Sequence, residues 1–446
     1  MNEELLRISE GIVKRASIEG FNESAALSIN TRRTMLKIAN SEPSITQHWS
    51  SLNVVVYLAK DRRIIIMEFH PRDESEIYKS MADLLKVAAK VMESPLYAPL
   101  PEPVEVRPLE GLVDREIVER LEEPSTLAEA AIEAAHREKI DSIAGTIDLW
   151  YREKALSTSS GVSLYEDSTG FQAYLRAFAE PSGSGQWSTC STRLNLRSIE
   201  GTALTAAKYA VESRYREKVE VGKYDVIMSP MVFGNLLELT MRMASAFNVL
   251  MGLSMFMGKK PGDKIASDKL RVFDEPRNTE LPRATSFDDE GVPTYNKAVI
   301  DGGVLKTLLH NSKTASKMGA VTTGNAGWIS PTPWNITVGL GDYSLDEMIS
   351  EVRRGILITN NWYTRLQNYV EGVFSTVSRD AVFLIEDGKV VKSIEKIRIA
   401  DRLPSILNNI EALGKDLYNI MWWEVTIPSK LPYVLIKDVN VTKPTI

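Results

Sequence analysis

Apolar and polar positions change period repeatedly along the first 220 residues, and each change marks an element. Residues 2–19 carry Leu5, Leu6, Ile8, Ile12 and Val13 at helical spacing. The runs SAALSIN, RTMLKIA, LNVVVYLA and RIIIMEF then predict strands, the last two joined by a hairpin at Lys60-Asp61-Arg62. Residues 74–93 place Ile77, Met81, Leu84, Leu85, Ala88, Val91 and Met92 on one helical face. Pro99, Pro101, Pro103 and Pro108 make residues 97–108 an extended connector. A similar order follows. Thr126-Leu-Ala-Glu129 has the spacing of a capping box and predicts a helix through Glu138. Strand-like runs cover 140–156, 162–168, 171–179 and 187–197, with a helix at 200–215. Helix, several strands, helix, twice over, suggests two copies of one α+β unit sharing a sheet.

Beyond residue 219 the pattern changes. The strand YDVIMSP leads into PMVFGNLLELTMRMASAF (230–247), which is apolar almost all round, as a buried helix is. Its two charges, Glu238 and Arg242, stand at i, i+4 in the order that favours pairing. A long β-rich region broken by Gly and Pro follows, with helices expected at 344–354 and 404–421 and a final strand or pair in KLPYVLIKDVNVTK. The expected fold class is α+β, with an N-terminal mixed helix and sheet domain over 1–214 and a β-rich domain around a buried helix over 219–446.

Composition narrows the function classes. The 446 residues suit two or three domains of about 150–200 residues each. A balance of 53 basic against 59 acidic residues, net −6, argues against a dedicated nucleic-acid binder. With Cys190 as its single cysteine, the chain forms no internal disulfide and no cysteine-built metal cluster, which suits a reducing cytoplasm. The charged N-terminus lacks the apolar run of a signal peptide. The uncharged window 243–258 is shorter than the ~20 residues of a membrane-crossing helix. A cytoplasmic protein without membrane contact is expected.

Single motifs for chemistry are scarce. His48, His70, His136 and His310 are widely separated, so no helix carries a histidine pair for zinc. The Gly-x-Gly pairs at Gly183/Gly185 and Gly339/Gly341 lack a third glycine and are expected to be turns. Asp288, Asp289 and Glu290 form the densest acidic cluster, either a solvated turn before Gly291 and Pro293 or a site for a cation or a proton. AVTTGNAGWISPTPWN (320–335) offers amides, hydroxyls and two tryptophans in a loop. Such a loop suits an extended peptide, and equally a surface loop anchored by buried tryptophans.

The order SFDDEGVPT, VIDGGVLKTLLHNSKTASKMG, TTGNA, PWN and GLGDYSLDEMISEVRRGILI resembles the TldD/PmbA family. NYVEGVFSTVSRDAVFLIEDGKVVKSIEKIRIADRL continues it, and ALSTSSGVSLYEDSTG (155–170) carries a thinner match in the N-terminal half. The resemblance implies a two-domain α+β member of a cytosolic zinc metallopeptidase family, long labelled modulators of DNA gyrase and associated with peptide processing. TldD-type subunits bear H-E-x-x-x-H on the helix equivalent to 230–247 and a later cysteine. Here that helix reads Asn235-Leu-Leu-Glu238-Leu-Thr240, and no cysteine follows it. The pattern is that of a TldE/PmbA-type subunit. It implies no catalytic residue, metal ligand or cofactor in this chain, with zinc in a TldD-type partner. A heterodimer is implied, with a peptide or unfolded protein as substrate; whether the chain forms a homodimer in isolation stays open. Thr323, Asn325, Asn335 and Arg354 are the candidate peptide-binding residues. Two other readings stand beside it: a metallopeptidase with a non-standard metal site of its own, and a non-proteolytic protein-binding modulator, for example of DNA gyrase.

Overall fold

The computed structural model describes residues 2–73 and 75–444. Helix Asn2–Glu19 is followed by strands Glu23–Ala39, Glu42–Lys60 and Arg63–Phe69, and then by helix Ser75–Ala88. The expected helix over 74–93 therefore stops at Ala88, and its first position, residue 74, lies outside the described residues. Asp61 and Arg62 take φ of 46° and 66° between the second and third strands, the left-handed pair of a tight hairpin turn. SAALSIN and RTMLKIA are one strand rather than two, since Thr31 and Arg32 pair without interruption on both sides. Alternation sorts its neighbours. Ala26, Val54, Val56 and Leu58 pack on Ile12, Ala16, Ile77 and Met81 of the two helices. Ala25, Leu27, Tyr57 and Ala59 face the opposite side.

The second unit repeats the first: helix Ser125–Ala135, strands Ser142–Thr158, Ser163–Ala179 and Gly183–Ser191, helix Leu196–Glu212. The two triplets share one antiparallel six-stranded sheet, joined at its centre by Glu23–Ala39 against Ser142–Thr158. This is the duplicated arrangement expected from the order of elements. Two local expectations are corrected. Thr126 does not cap its helix, which starts at Ser125 after Pro124; its hydroxyl instead accepts from Arg120. Gly183 and Gly185 are not a turn but the start of a strand, and a Cβ on either would lie about 2 Å from the carbonyls of Ala210 and Ala206. The helix rests directly on glycine backbone there.

From Arg216 onward the chain builds two further sheets, one of ten strands and one of six. Helix Pro230–Met243 lies between them. Its Val232, Phe233, Leu236, Leu237 and Met241 share one core with Val226, Ile356 and Phe374 of the larger sheet and Val272, Ile336 and Leu431 of the smaller. Ser229 caps its N-terminus and Pro230 occupies the first turn, where a missing N–H costs nothing. The helix expected at 344–354 is shorter, Leu345–Ser350, and opens with a Ser344–Glu347 capping box. The one expected at 404–421 ends at Asn408, because Ile410–Leu413 leaves it to pair with Val434–Thr442 and Tyr418–Trp422 pairs with Val425–Leu431.

Candidate functional site

The polar residues of the buried helix Pro230–Met243 are engaged by protein partners. Asn235 Oδ1 accepts from Asn361 Nδ2 at 3.0 Å and from the Thr364 hydroxyl at 2.5 Å, while its Nδ2 donates to the Glu424 carbonyl at 2.7 Å. Thr240 donates to the Leu236 carbonyl. Glu238 accepts from Arg242 and Thr426 on one oxygen and from the Ile427 backbone on the other. The i, i+4 pair read from the sequence thus forms, at 2.8 Å. A zinc ion needs three or four deprotonated N, O or S donors with free lone pairs converging on one point. One carboxylate, bonded at both oxygens, with an amide and a hydroxyl turned to protein partners, does not supply them. Among the described residues, no three His, Cys, Asp or Glu side chains group for a metal anywhere else. Cys190 is fully buried, and burial raises its thiol far above the ordinary range, which keeps it an inert core residue.

The acidic turn divides into two structural groups and one that faces open space. Asp288 accepts three backbone N–H groups, from Glu290, Val292 and Ala326. Burial and the neighbouring Glu290 carboxylate push its pKa up, and those donors pull it back. Glu290 accepts from the backbone and hydroxyl of Ser312 and pairs with Lys313 Nζ at 2.7 Å, tying the turn to helix Ser312–Met318. Asp289 is different. Its carboxylate makes no hydrogen bond among the described residues, and burial pushes it up to about 6 against the attraction of Lys154 and Arg283.

Asp289 opens into a cleft of about 280 Å³ between the six-stranded sheet and the loops of the second half. Leu27, Ile29, Val55, Arg152, Lys154, Glu166 and Ser168 line it from the sheet. Residues 282–285, Ala326, Trp328, Thr332 and Trp334 line it from the loops. Lys154 donates to the Thr285 hydroxyl and the Phe287 carbonyl and sits 3.9 Å over the Phe287 ring. Glu166 accepts from Thr285 and from Ser286. The sheet therefore holds the acidic turn in place. Trp328 stacks on Tyr57 at 5.5 Å, so the loop is anchored by aromatic contact with the sheet as well.

The four sequence-predicted binding residues lie behind or away from this cleft. Thr323 is buried and bonds to His310 and Asn325. Asn325 and Asn335 are fully buried and converge on Asp274: the Asn325 amide donates to its carboxylate at 2.6 Å, and the Asn335 backbone approaches it at 3.4 Å. They shape the loop from beneath and present no amide to a ligand. Arg354 stacks over Tyr224, donates to its hydroxyl and lies near Glu220, none of which borders the cleft. The sequence reading missed Arg152, Lys154, Glu166 and Arg283. A signal existed in Tyr151-Arg152-Glu153-Lys154, which puts charge on both faces of a strand at the centre of a sheet. A strand with one solvated face would carry charge on one side.

Comparison with known proteins agrees with this architecture. Residues 221–443 match the PmbA/TldA metallopeptidase C-terminal domain, and residues 108–214 match the central domain of the same proteins. A metalloprotease of Methanocaldococcus jannaschii is 25% identical over 289 residues, which is 63% of this chain and 64% of that protein's length. A Thermotoga maritima structure, provisionally named a modulator of a DNA gyrase, superposes with a TM-score of 0.83 at 25% identity, covering 97% of this chain and 99% of that one. TldE from Thermococcus kodakarensis has the same fold, with a TM-score of 0.83, 21% identity and the same coverage.

Proposed function

Because the chain belongs to the PmbA/TldD metallopeptidase family, we propose that it is the non-catalytic, TldE-type subunit of a peptide-processing complex, with the zinc carried by a TldD-type partner. One observation carries this reading. Asn235, Glu238 and Thr240, on the helix where the partner type bears its ligands, are an amide, one carboxylate bonded at both oxygens and a hydroxyl bonded to its own helix, which is not a donor set for zinc. The chain's own contribution is the cleft between the sheet and the tryptophan loop, which receives an unfolded or peptide substrate. Its residues bind and orient the substrate while the hydrolysing zinc stays on the partner. No helix among the described residues is long and apolar enough to cross a membrane.

The test is metal analysis with a protease assay, on the chain alone and mixed with an H-E-x-x-x-H relative. The reading expects no stoichiometric zinc and no cleavage alone, and a stable complex that cleaves an unfolded substrate when mixed. Stoichiometric zinc in the isolated chain would replace it with a metallopeptidase of unusual ligand set. A complex with gyrase and no cleavage of any substrate would replace it with the modulator suggested by the name of the T. maritima neighbour.

A further inference from the structure

The cleft holds two guanidinium groups with only one unpaired carboxylate among the described residues, Asp289, beside them. Arg152 lines it from the central strand Ser142–Thr158, and Arg283 from the loop opposite. Neither makes an ion pair or a hydrogen bond among the described residues; the recorded ring contact of Arg283 is with Trp334, 5.7 Å away. Arg152 is solvent-exposed and Arg283 half-buried; burial pulls the Arg283 guanidinium below its ordinary pKa, with Arg152 and Arg242 repelling it and Glu238 and Asp274 attracting it. The other cations nearby are committed. Arg242 is paired with Glu238, and Lys154 is held by Thr285, the Phe287 carbonyl and Glu166. Two like charges kept together disfavour each other, and an anion that binds both removes that cost.

Resting on the peptide-binding role proposed above, we propose that Arg152 and Arg283 form a receptor for one carboxylate of an extended peptide, either an acidic side chain or the C-terminus. Each guanidinium offers a planar fork of donors matched to a carboxylate. The net charge of the cleft chooses among anions. Lys154 and Glu166 offset one another, so two arginines against Asp289 leave a surplus of a single positive charge. That matches a carboxylate, whereas a phosphate monoester carries ≈ −1.5 to −2 near neutrality. Leu27, Ile29, Val55 and Trp328 supply apolar wall for the rest of a peptide residue.

Calorimetry on the isolated full chain tests this with four probes. They are an amidated peptide bearing one Glu, its Gln isostere also amidated, the Gln peptide with a free C-terminus, and inorganic phosphate. The expected result is that one or both carboxylate peptides bind roughly 10-fold or more tightly than the neutral one. The two carboxylate arms identify which source the receptor takes. Arg152→Gln and Arg283→Gln should each erase the preference while neutral-peptide binding remains. Arg283→Lys, which keeps the charge and loses the fork, should weaken it and serves if a glutamine variant does not fold. Equal affinity for all peptides, no peptide binding, a preference that survives both substitutions, or phosphate bound more tightly than any peptide would each overturn the proposal. Assembly with the H-E-x-x-x-H relative is measured separately by size exclusion. A complex that forms and cleaves while the carboxylate preference is absent sinks this inference alone; absence of complex and cleavage sinks the functional reading.

Discussion

Lys313 Nζ lies 2.7 Å from Glu290 Oε1, with the two side chains 6% and 0% exposed, and this pair locks the acidic turn to the following helix. Lys313 also lies 4.7 Å from the Tyr57 ring centroid, so it reaches the N-terminal sheet. Removing one member of a buried pair strands the other charge. Lys313→Met is therefore expected to cost about 3–5 kcal/mol in chemical denaturation. Adding Glu290→Gln to it should recover part of that loss, because no uncompensated carboxylate remains. If the double variant is as unstable as the sum of the two singles, the pair is not coupled as the geometry requires.

Much of the fold was legible because it rests on local signals. The hairpin at residue 61, the buried helix after Pro230 and its Glu238–Arg242 pair all follow from spacing and turn chemistry. The cleft was not legible, for a physical reason. Arg152 and Arg283 are 131 positions apart, and only the packing of the second half's loops on the first half's sheet brings them together. Sequence patterns also pointed to the polar residues of the loop, whereas Asn325 and Asn335 spend their amides holding Asp274 and Glu275 beneath it. The same residue type serves a ligand or a scaffold according to which way it faces, and period alone does not settle that in a Gly- and Pro-rich loop.

Asn235, on the buried helix, organises a polar cluster of Asn361, Thr364, Thr376 and Glu424. Asn235→Ala leaves the Asn361 amide and the Thr364 hydroxyl without this acceptor. The expected loss is about 1–3 kcal/mol in a denaturant melt. Zinc content by elemental analysis should stay at background in the wild type and the variant alike. A neutral melt would mean that the cluster is solvated rather than structural.

Asp289 titrates within reach of ordinary buffers. Its pKa is pushed up to about 6 by burial, opposed by Lys154 and Arg283 and reinforced by Glu290. In the unfolded chain it returns to about 3.9. Between those values the folded state holds more protons than the unfolded state, so this group's contribution to stability falls as pH rises from about 4 to about 6. Asp289→Asn should remove that component. The difference between wild-type and variant unfolding free energies, measured across pH 4–7, should change through this window and be flat above it. A difference independent of pH would show that Asp289 ionises normally.

Trp328 joins the two halves by packing, beside ion pairs such as Arg176–Asp380. It is 7% exposed, stacks on Tyr57 at an interplanar angle of 19°, and shares a cluster with Leu27, Leu156 and Phe287. Trp328→Ala removes this packing, and truncating a buried tryptophan costs about 3–5 kcal/mol. The substitution also strips one wall from the cleft. The loss should therefore appear in two measurements, a lower denaturation midpoint and weaker binding of every peptide irrespective of charge. Trp328→Phe retains a stacking ring and should recover most of the stability. The two readouts separate this wall from the arginines: Arg152→Gln and Arg283→Gln change the preference for charge, whereas Trp328→Ala lowers neutral and acidic peptides together. If Trp328→Ala altered charge preference alone, the tryptophan would be acting through Arg283 rather than as a wall.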